Sequence, residues 1–231
     1  MADHKMEAAK AALKLIKPGQ NIGLGAGTTI ANLVALLVAE SALAASLTLV
    51  SSSFKTTGLM LDHGLNVRSI ALTKAVDIYF DGCDQFDAEL SALKSGSGIH
   101  TSEKILATMA AEFILIGDAA KFANKLDTTY PLVIEVLPAA LPLVIRQLSN
   151  YFADASITIR MSDKKDGAAI SDNGNLLLDI YFTQLPPLPQ LNVQVKMIPG
   201  VVEHSLFYRM AGKAIIAGDE GIKLISPQYS N

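Results

Sequence analysis

The sequence predicts an α/β fold: a mostly parallel sheet covered by helices on both faces, with a smaller α+β unit attached. Three observations carry this expectation. Short apolar runs alternate with helical patterns as far as Gly117-Asp118, as repeated strand–helix units require. The pattern changes at Asp127-Thr128-Thr129-Tyr130-Pro131, and apolar runs return near the C-terminus. A chain of 231 residues has room for one large domain with a smaller one attached. The predicted division is residues 1–127 plus about 205–231 for the large domain and about 128–204 for the smaller.

Residues 5 to 16 set Ala8, Ala9, Ala12, Leu13, Leu15 and Ile16 at helical spacing, and Lys17-Pro18-Gly19 stops that helix. Ile22-Gly23-Leu24 reads as a short buried strand, and Thr29 to Glu40 as a helix. Leu47 to Val50 is a strand, Phe54 to His63 a helix, Val67 to Ile70 a strand, and Val76 to Phe80 another that runs into Asp81. Glu103 to Ala111 is helical, and Phe113 to Ile116 is an apolar strand. In the smaller unit come Val133 to Val136, a helix around Leu141 to Leu148, and strands near Ile157 to Met161 and Leu176 to Phe182. Asp172-Asn173-Gly174-Asn175 is a turn signal between two strands. Leu185-Pro186-Pro187-Leu188-Pro189 leads into a helix, and Val201 to Phe207 and Ala214 to Ala217 are the last predicted strands.

Composition excludes several classes of function. Half the residues are hydrophobic, the formal net charge is -3, and Lys and Arg form no run. A broad basic surface for nucleic acid is therefore not expected, although a local pocket can still hold a small anion. Cys83 is the single cysteine, so no intrachain disulfide can form, which fits a reducing compartment. The N-terminus lacks a secretory apolar core. Asn32, Glu40, Ser41 and Ser46 interrupt the apolar stretch Ala31 to Leu47, which reads as a buried helix rather than a membrane span. A cytoplasmic protein without membrane attachment is the expectation.

Three segments could carry chemistry. Gly23-Leu24-Gly25-Ala26-Gly27-Thr28-Thr29 follows a strand and opens a helix. Free N–H groups at a helix start attract phosphate, and the two hydroxyls can donate to it. It is no dinucleotide fingerprint, since the third glycine of that motif would fall at Thr28. A ligand-free strand–helix turn fits this loop equally well. Asp81-Gly82-Cys83-Asp84-Gln85-Phe86-Asp87 follows a strand, where open parallel sheets bind ligands. Its carboxylates suit proton transfer or sugar hydroxyls, but also plain turn formation or magnesium. Lys94-Ser95-Gly96-Ser97-Gly98 could steady an oxyanion, and Glu103 could act as a base. A first-turn glutamate complementing the helix dipole is the plainer reading of Glu103. The four histidines, His4, His63, His100 and His204, are scattered, so no metal or other cofactor is expected.

Taken in order, these segments resemble the type A ribose-5-phosphate isomerases. The glycine loop resembles that family's phosphate loop, and Asp81-Gly82-Cys83-Asp84-Gln85 resembles its Asp-Gly-Ala-Asp-Glu segment. Lys94-Ser95-Gly96-Ser97 resembles Lys-Gly-Gly-Gly, Thr101-Ser102-Glu103-Lys104 resembles Thr-Arg-Glu-Lys, and Asp118-Ala119-Ala120-Lys121 resembles Asp-x-Ser-Lys. Further similarities are Tyr130 to Val136, Asp172 to Asn175, and Pro199-Gly200-Val201-Val202-Glu203-His204. The resemblance spans nearly the whole chain.

It implies a Rossmann-like catalytic domain, a smaller ferredoxin-like domain and a homodimer. It implies interconversion of D-ribose 5-phosphate and D-ribulose 5-phosphate through an enediolate, a step of the non-oxidative pentose phosphate pathway. Glu103 would be the base, Asp81 would assist ring opening, and Asp84 and Lys94 would position hydroxyls and steady the enediolate. Ala26, Gly27, Thr28 and Thr29, with Lys5 and Lys121, would hold the phosphate. Gly25, Gly82, Cys83, Ser95, Gly96 and Ser97 would complete the substrate contacts. The chain departs from the pattern at Gln85, Ser95, Ser97, Ser102, Ala26 and Ala120. Serine in the Lys94 loop would add strain wherever φ must be positive. A sugar-phosphate sensor, a deaminase and a coenzyme A transferase are the competing readings.

Overall fold

A computed structural model describes residues 3–229; residues 1–2 and 230–231, the outer ends of the predicted large domain, lie outside the described residues. Its largest sheet has six strands in the order Gly221–Ile225, Lys213–Gly218, Ala110–Asp118, Val76–Asp81, Asn21–Leu24, Thr48–Ser51. All neighbours run parallel except the edge strand Gly221–Ile225, which pairs antiparallel with Lys213–Gly218. The central strand Val76–Asp81 exposes only Asp77, as a strand covered on both faces must. Ile78 and Phe80 face a core shared with the helices His4–Leu13 and Thr28–Ala39, while Tyr79 faces a second core with Leu106 and Phe113.

The order of the strands places the site. From Asn21–Leu24 the chain crosses to the edge strand Thr48–Ser51, then returns to Val76–Asp81 on the other side of Asn21–Leu24. The loops leaving Leu24 and Asp81 therefore diverge and open a crevice at the carboxyl ends of the strands, where ligands bind in such sheets.

A second sheet has the order Val201–His204, Leu132–Val136, Leu176–Tyr181, Ser156–Ile159, with every pairing antiparallel. The helices Leu141–Tyr151 and Leu188–Lys196 complete a βαββαβ sequence of elements, which is ferredoxin-like. Pro142 and Pro189 sit in the first turns of these helices, where a missing N–H costs nothing. Between the two sheets lies a small one, Leu206–Phe207, Ala92–Leu93 and Gln85–Phe86. Side-chain alternation ties it to both cores: Ala92 and Phe207 pack into the core of the large sheet, Leu93 and Leu206 into that of the smaller.

Several elements differ from expectation. The predicted strand Val67 to Ile70 is a single bridge from Val67 to Leu49, followed by a 3-10 turn at Ile70–Leu72. It lies beyond an edge strand, with Arg68 and Ser69 exposed. The apolar stretch to Leu47 breaks at Glu40 into Thr28–Ala39 and Ser41–Ser46. The N-terminal helix ends at Leu13 rather than Ile16. Val201 to Phe207 divides at Ser205 into two strands that serve different sheets. The turn at Asp172–Asn175 is closed by Gly174 N–H donating to the Ser171 carbonyl. The paired strands on either side of it, Ser156–Ile159 and Leu176–Tyr181, are joined by the longer stretch 160–175. Among the described residues no helix is long and apolar enough to cross a membrane.

Candidate active site

A cavity of about 260 Å³ opens at the crevice. Lys5, Ala26, Gly27, Thr28, Thr29, Asp81, Gly82, Cys83, Asp84, Lys94, Ser97, Glu103 and Lys121 all line it, so segments far apart in sequence converge here. Gly25, Ser95 and Gly96 do not line it: Gly25 and Ser95 are buried beside it, and Gly96 is exposed. The space a side chain would need at Gly25 is taken by Asp81, whose Oδ1 would lie 1.8 Å from a Cβ. Only glycine permits this close approach of loop and carboxylate.

Asp81 is 1% exposed. Its Oδ1 accepts from Ala26 N–H at 3.1 Å and Gly82 N–H at 2.8 Å, and its Oδ2 accepts from the Tyr79 hydroxyl. Lys94 Nζ lies 2.8 Å from Asp81 Oδ2 and 3.3 Å from Glu103 Oε1, and it also donates to the Gly82 carbonyl. One buried ammonium thus serves two buried carboxylates. Burial works against the charge on Lys94, but Asp81 and Glu103 outweigh it and raise its pKa. Tyr79 is held protonated by burial and then by Asp81, so it acts as a donor.

Glu103 sits in the first turn of the helix His100–Met109 yet is only 1% exposed. The helix has no side-chain cap; Thr101 donates to Glu135 instead. A solvent-facing dipole partner is therefore not what this residue is. Burial, augmented by Asp81 and opposed by Lys94, pushes the Glu103 carboxyl up to about 8. Its Oε2 is buried and has no hydrogen-bond partner among the described residues. Glu103 lines the cavity with one oxygen held by Lys94 and the other without a protein donor, an arrangement that suits proton exchange.

Asp84 and Lys94 reach the cavity from the small three-stranded sheet, Asp84 just before Gln85–Phe86 and Lys94 just after Ala92–Leu93. Asp84 Oδ2 accepts from the amides of Ser95 at 2.6 Å and Gly96 at 2.9 Å. Neither serine of this loop has a positive φ; the left-handed position is Gly98, at φ 71°. The departures Ser95 and Ser97 therefore carry no backbone strain, and the Ser95 hydroxyl turns away to the Pro131 carbonyl at 2.5 Å. Cys83 is half-buried at the wall, its thiol pushed up to about 12 chiefly by burial, so it is not a thiolate at neutral pH.

The helix Thr28–Ala39 begins without a side-chain cap, and its first residues Thr28 and Thr29 line the same cavity as Lys5 and Lys121. Helix-start N–H groups, hydroxyls and ammonium groups in one cavity suit a dianion. Among the described residues no group of three or more His, Cys, Asp or Glu is set to hold a metal ion. Asp81 and Asp84 are instead occupied by protein donors.

Sequence reasoning missed Tyr79, Leu115, Ile116, Gly117 and Ile216, of which all but Tyr79 line the cavity. A signal existed for Tyr79: it precedes Asp81 by two along a strand and so shares its face. The others come from neighbouring strands, whose order a single sequence does not give. Lys104 turns away from the cavity to Glu203 and to the carbonyls of His204 and Leu206, at 2.9, 2.6 and 2.9 Å. It anchors the Glu103 helix to the smaller sheet, and His204 is buried in that anchorage.

Comparison with known proteins agrees over nearly the full length. The family model for ribose 5-phosphate isomerase A (phosphoriboisomerase A) matches residues 48–221. A ribose-5-phosphate isomerase A from Methanosarcina acetivorans is 35% identical over 227 residues, covering 97% of this chain and 94% of that protein. One from Sinorhizobium medicae is 36% identical over 225 residues, covering 96% of each. The solved ribose 5-phosphate isomerase A of Methanocaldococcus jannaschii superposes with a TM-score of 0.89 at 34% identity, covering 97% of this chain and 98% of that one. A D-ribose-5-phosphate isomerase in complex with phospho-erythronic acid superposes with a TM-score of 0.90 at 32% identity and the same coverage.

The raised pKa of Glu103 has a consequence for stability. An acid whose pKa rises on folding binds more protons in the folded state, so its contribution to stability falls as pH rises from 4.5 through about 8. Glu103→Gln removes that dependence. Thermal denaturation should show the variant more stable than the parent above pH 8, with the difference vanishing at pH 4. A loss of stability at high pH would instead mark Glu103 as an ordinary ion-pair partner.

Proposed function

The chain belongs to the ribose-5-phosphate isomerase A family, and we propose that its cavity interconverts D-ribose 5-phosphate and D-ribulose 5-phosphate by moving one proton between C1 and C2. The enzyme is an aldose–ketose isomerase of the pentose phosphate pathway. The observation that carries the site assignment is the buried Asp81–Lys94–Glu103 arrangement lining the cavity, with Glu103 Oε2 unpartnered among the described residues.

Phosphate sits among Thr28, Thr29, Lys5 and Lys121, and Ala26 and Gly27 close the loop against it. Anchoring at this remote end holds C1 and C2 beside Glu103. Asp81, fixed by four protein donors, assists opening of the furanose ring. The Glu103 carboxylate removes the proton from C2 of the open aldose, and the electron pair moves through C1 onto O1. Lys94 steadies that oxyanion, a role that suits an ammonium in a dry site. The O2 hydroxyl proton then passes to O1, C1 takes back the proton held on Glu103, and O2 becomes the carbonyl. Asp84 orders the Ser95–Ser97 loop against the sugar hydroxyls, beside Gly82 and Cys83. No step requires a metal. Phospho-erythronic acid, the ligand of the similar solved structure, joins a planar carboxylate to a phosphorylated chain, and so resembles an enediolate in shape and charge.

We also propose the division into a catalytic unit of residues 1–127 plus about 205–231 and a smaller unit of about 128–204. The second sheet, drawn entirely from Leu132 to His204, supports it. A homodimer in the cytoplasm is the assembly and place that family membership favours. The net charge of -3 supports a small-molecule substrate rather than nucleic acid.

Two measurements test these assignments. Glutamine matches glutamate in shape but cannot take the proton, so Glu103→Gln should lower kcat by roughly two to four orders of magnitude with much smaller change in substrate affinity. Turnover within about fivefold of the parent would remove Glu103 from the mechanism. Replacing Thr28 and Thr29 together with Val should raise KM more than it lowers kcat, because phosphate is gripped alike in ground and transition states. An unchanged KM for ribose 5-phosphate would place the phosphate elsewhere.

A further inference from the structure

The loop that carries Lys94 is held from two directions. On the cavity side Asp84 accepts the amides of Ser95 and Gly96. From the smaller sheet comes Arg160, whose Nη2 donates to the Ser95 carbonyl at 2.8 Å and whose Nη1 donates to the Gly96 carbonyl at 3.4 Å. The Ser95 carbonyl and the Gly96 N–H belong to one peptide unit. That unit is therefore gripped at its oxygen by Arg160 and at its hydrogen by Asp84, and a flip would break both bonds.

Arg160 is itself fixed. Its Nε lies 3.0 and 3.1 Å from the two Asp179 oxygens and its Nη2 lies 2.6 Å from Oδ1. Arg160 directly follows the strand Ser156–Ile159, and Asp179 lies in the neighbouring strand Leu176–Tyr181 opposite Thr158, so the two side chains are diagonal neighbours on one face. The planar guanidinium can grip the carboxylate and the loop carbonyls together because its five donors fan out in one plane. A surface ion pair would need none of this; the pair is largely buried and points at the loop.

We propose that Arg160, oriented by Asp179, is a positioning residue for the isomerase reaction: it locks the 95–96 peptide and so sets Lys94 and Ser97 against the sugar end of the substrate. This rests on the proposed role of the Lys94 loop. The smaller unit then contributes to catalysis without touching substrate. Misplacing a catalytic group by about 1 Å costs up to about a hundredfold, so the effect belongs in kcat and in binding at the sugar end, and leaves the phosphate end untouched.

The test separates positioning from stability. Arg160→Met strands Asp179, so the decisive variant is the double replacement R160M/D179L, which removes both charges and keeps the site packed. With the double variant folded by circular dichroism, kcat should fall roughly ten- to a hundredfold and phospho-erythronic acid should inhibit correspondingly more weakly. Inhibition by inorganic phosphate should stay within about twofold of the parent, because that ligand needs only the Thr28–Thr29 end. Parent-like kcat and inhibition by phospho-erythronic acid in the folded double variant would overturn the proposal and leave Arg160 a structural residue. If the double variant does not fold, Arg160→Lys is read the same way: one ammonium cannot hold carboxylate and both carbonyls, so it must also lose kcat without losing phosphate inhibition. Glu103→Gln is measured in parallel. If it keeps parent turnover, the reading of the site fails; if it is inactive while R160M/D179L is fully active, the inference about Arg160 fails alone.

Discussion

A single buried ammonium shared between two buried carboxylates is the constraint on which this structure turns. Lys94 lies within 3.3 Å of both Asp81 and Glu103, and all three side chains are nearly sealed from solvent. Removing charges from water costs several kcal/mol per ion unless each finds close partners. Asp81 finds four. Glu103 finds only half a partner, since Lys94 engages one of its oxygens and the other has no hydrogen-bond partner among the described residues. Protonation of Glu103 is the cheapest relief, and so the carboxyl rises to about 8. The same imbalance that weakens the resting site brings the proposed base to titrate near neutral pH.

The fold supplies the three groups from three places. Asp81 ends a central strand at the point where strand order reverses. Glu103 stands at the head of a helix that Thr101 and Lys104 bind to the smaller sheet. Lys94 follows a two-residue strand whose neighbours, Ala92 and Leu93, enter different cores. A short sheet that belongs to both layers fixes the distance between them, and hence the separation of Lys94 from Asp81. Short strands of this kind are stable only because both ends are buried in larger cores.

Much of this was legible in the sequence, and the reasons are physical. The long apolar strands and amphipathic helices declare themselves by period, and Ile78 to Asp81 reads as a buried strand ending in a polar residue. The glycine loop announces close backbone approach, which Asp81 over Gly25 explains. The segments that were missed carry no periodic signal: Gln85–Phe86 and Ala92–Leu93 are too short, and the edge strand Gly221–Ile225 is too exposed. Glu103 alone looked like an ordinary first-turn acid. Its buried setting beside Lys94 and Asp81 joins segments distant in sequence, and such contacts have no local signature. The resemblance to a known family bridged that gap; composition and spacing did not.

The central claim is that Glu103 is a buried base poised by Lys94 and Asp81. The most direct measurement is a carbon-13 NMR titration of the Glu103 side-chain carboxyl in the ligand-free enzyme, assigned by its loss in Glu103→Gln. The account expects its midpoint to lie well above the ordinary glutamate value of 4.5, near 8. A midpoint at or below 4.5 would mean that Lys94 simply neutralises Glu103 as an ion pair, and the account of the site would be wrong.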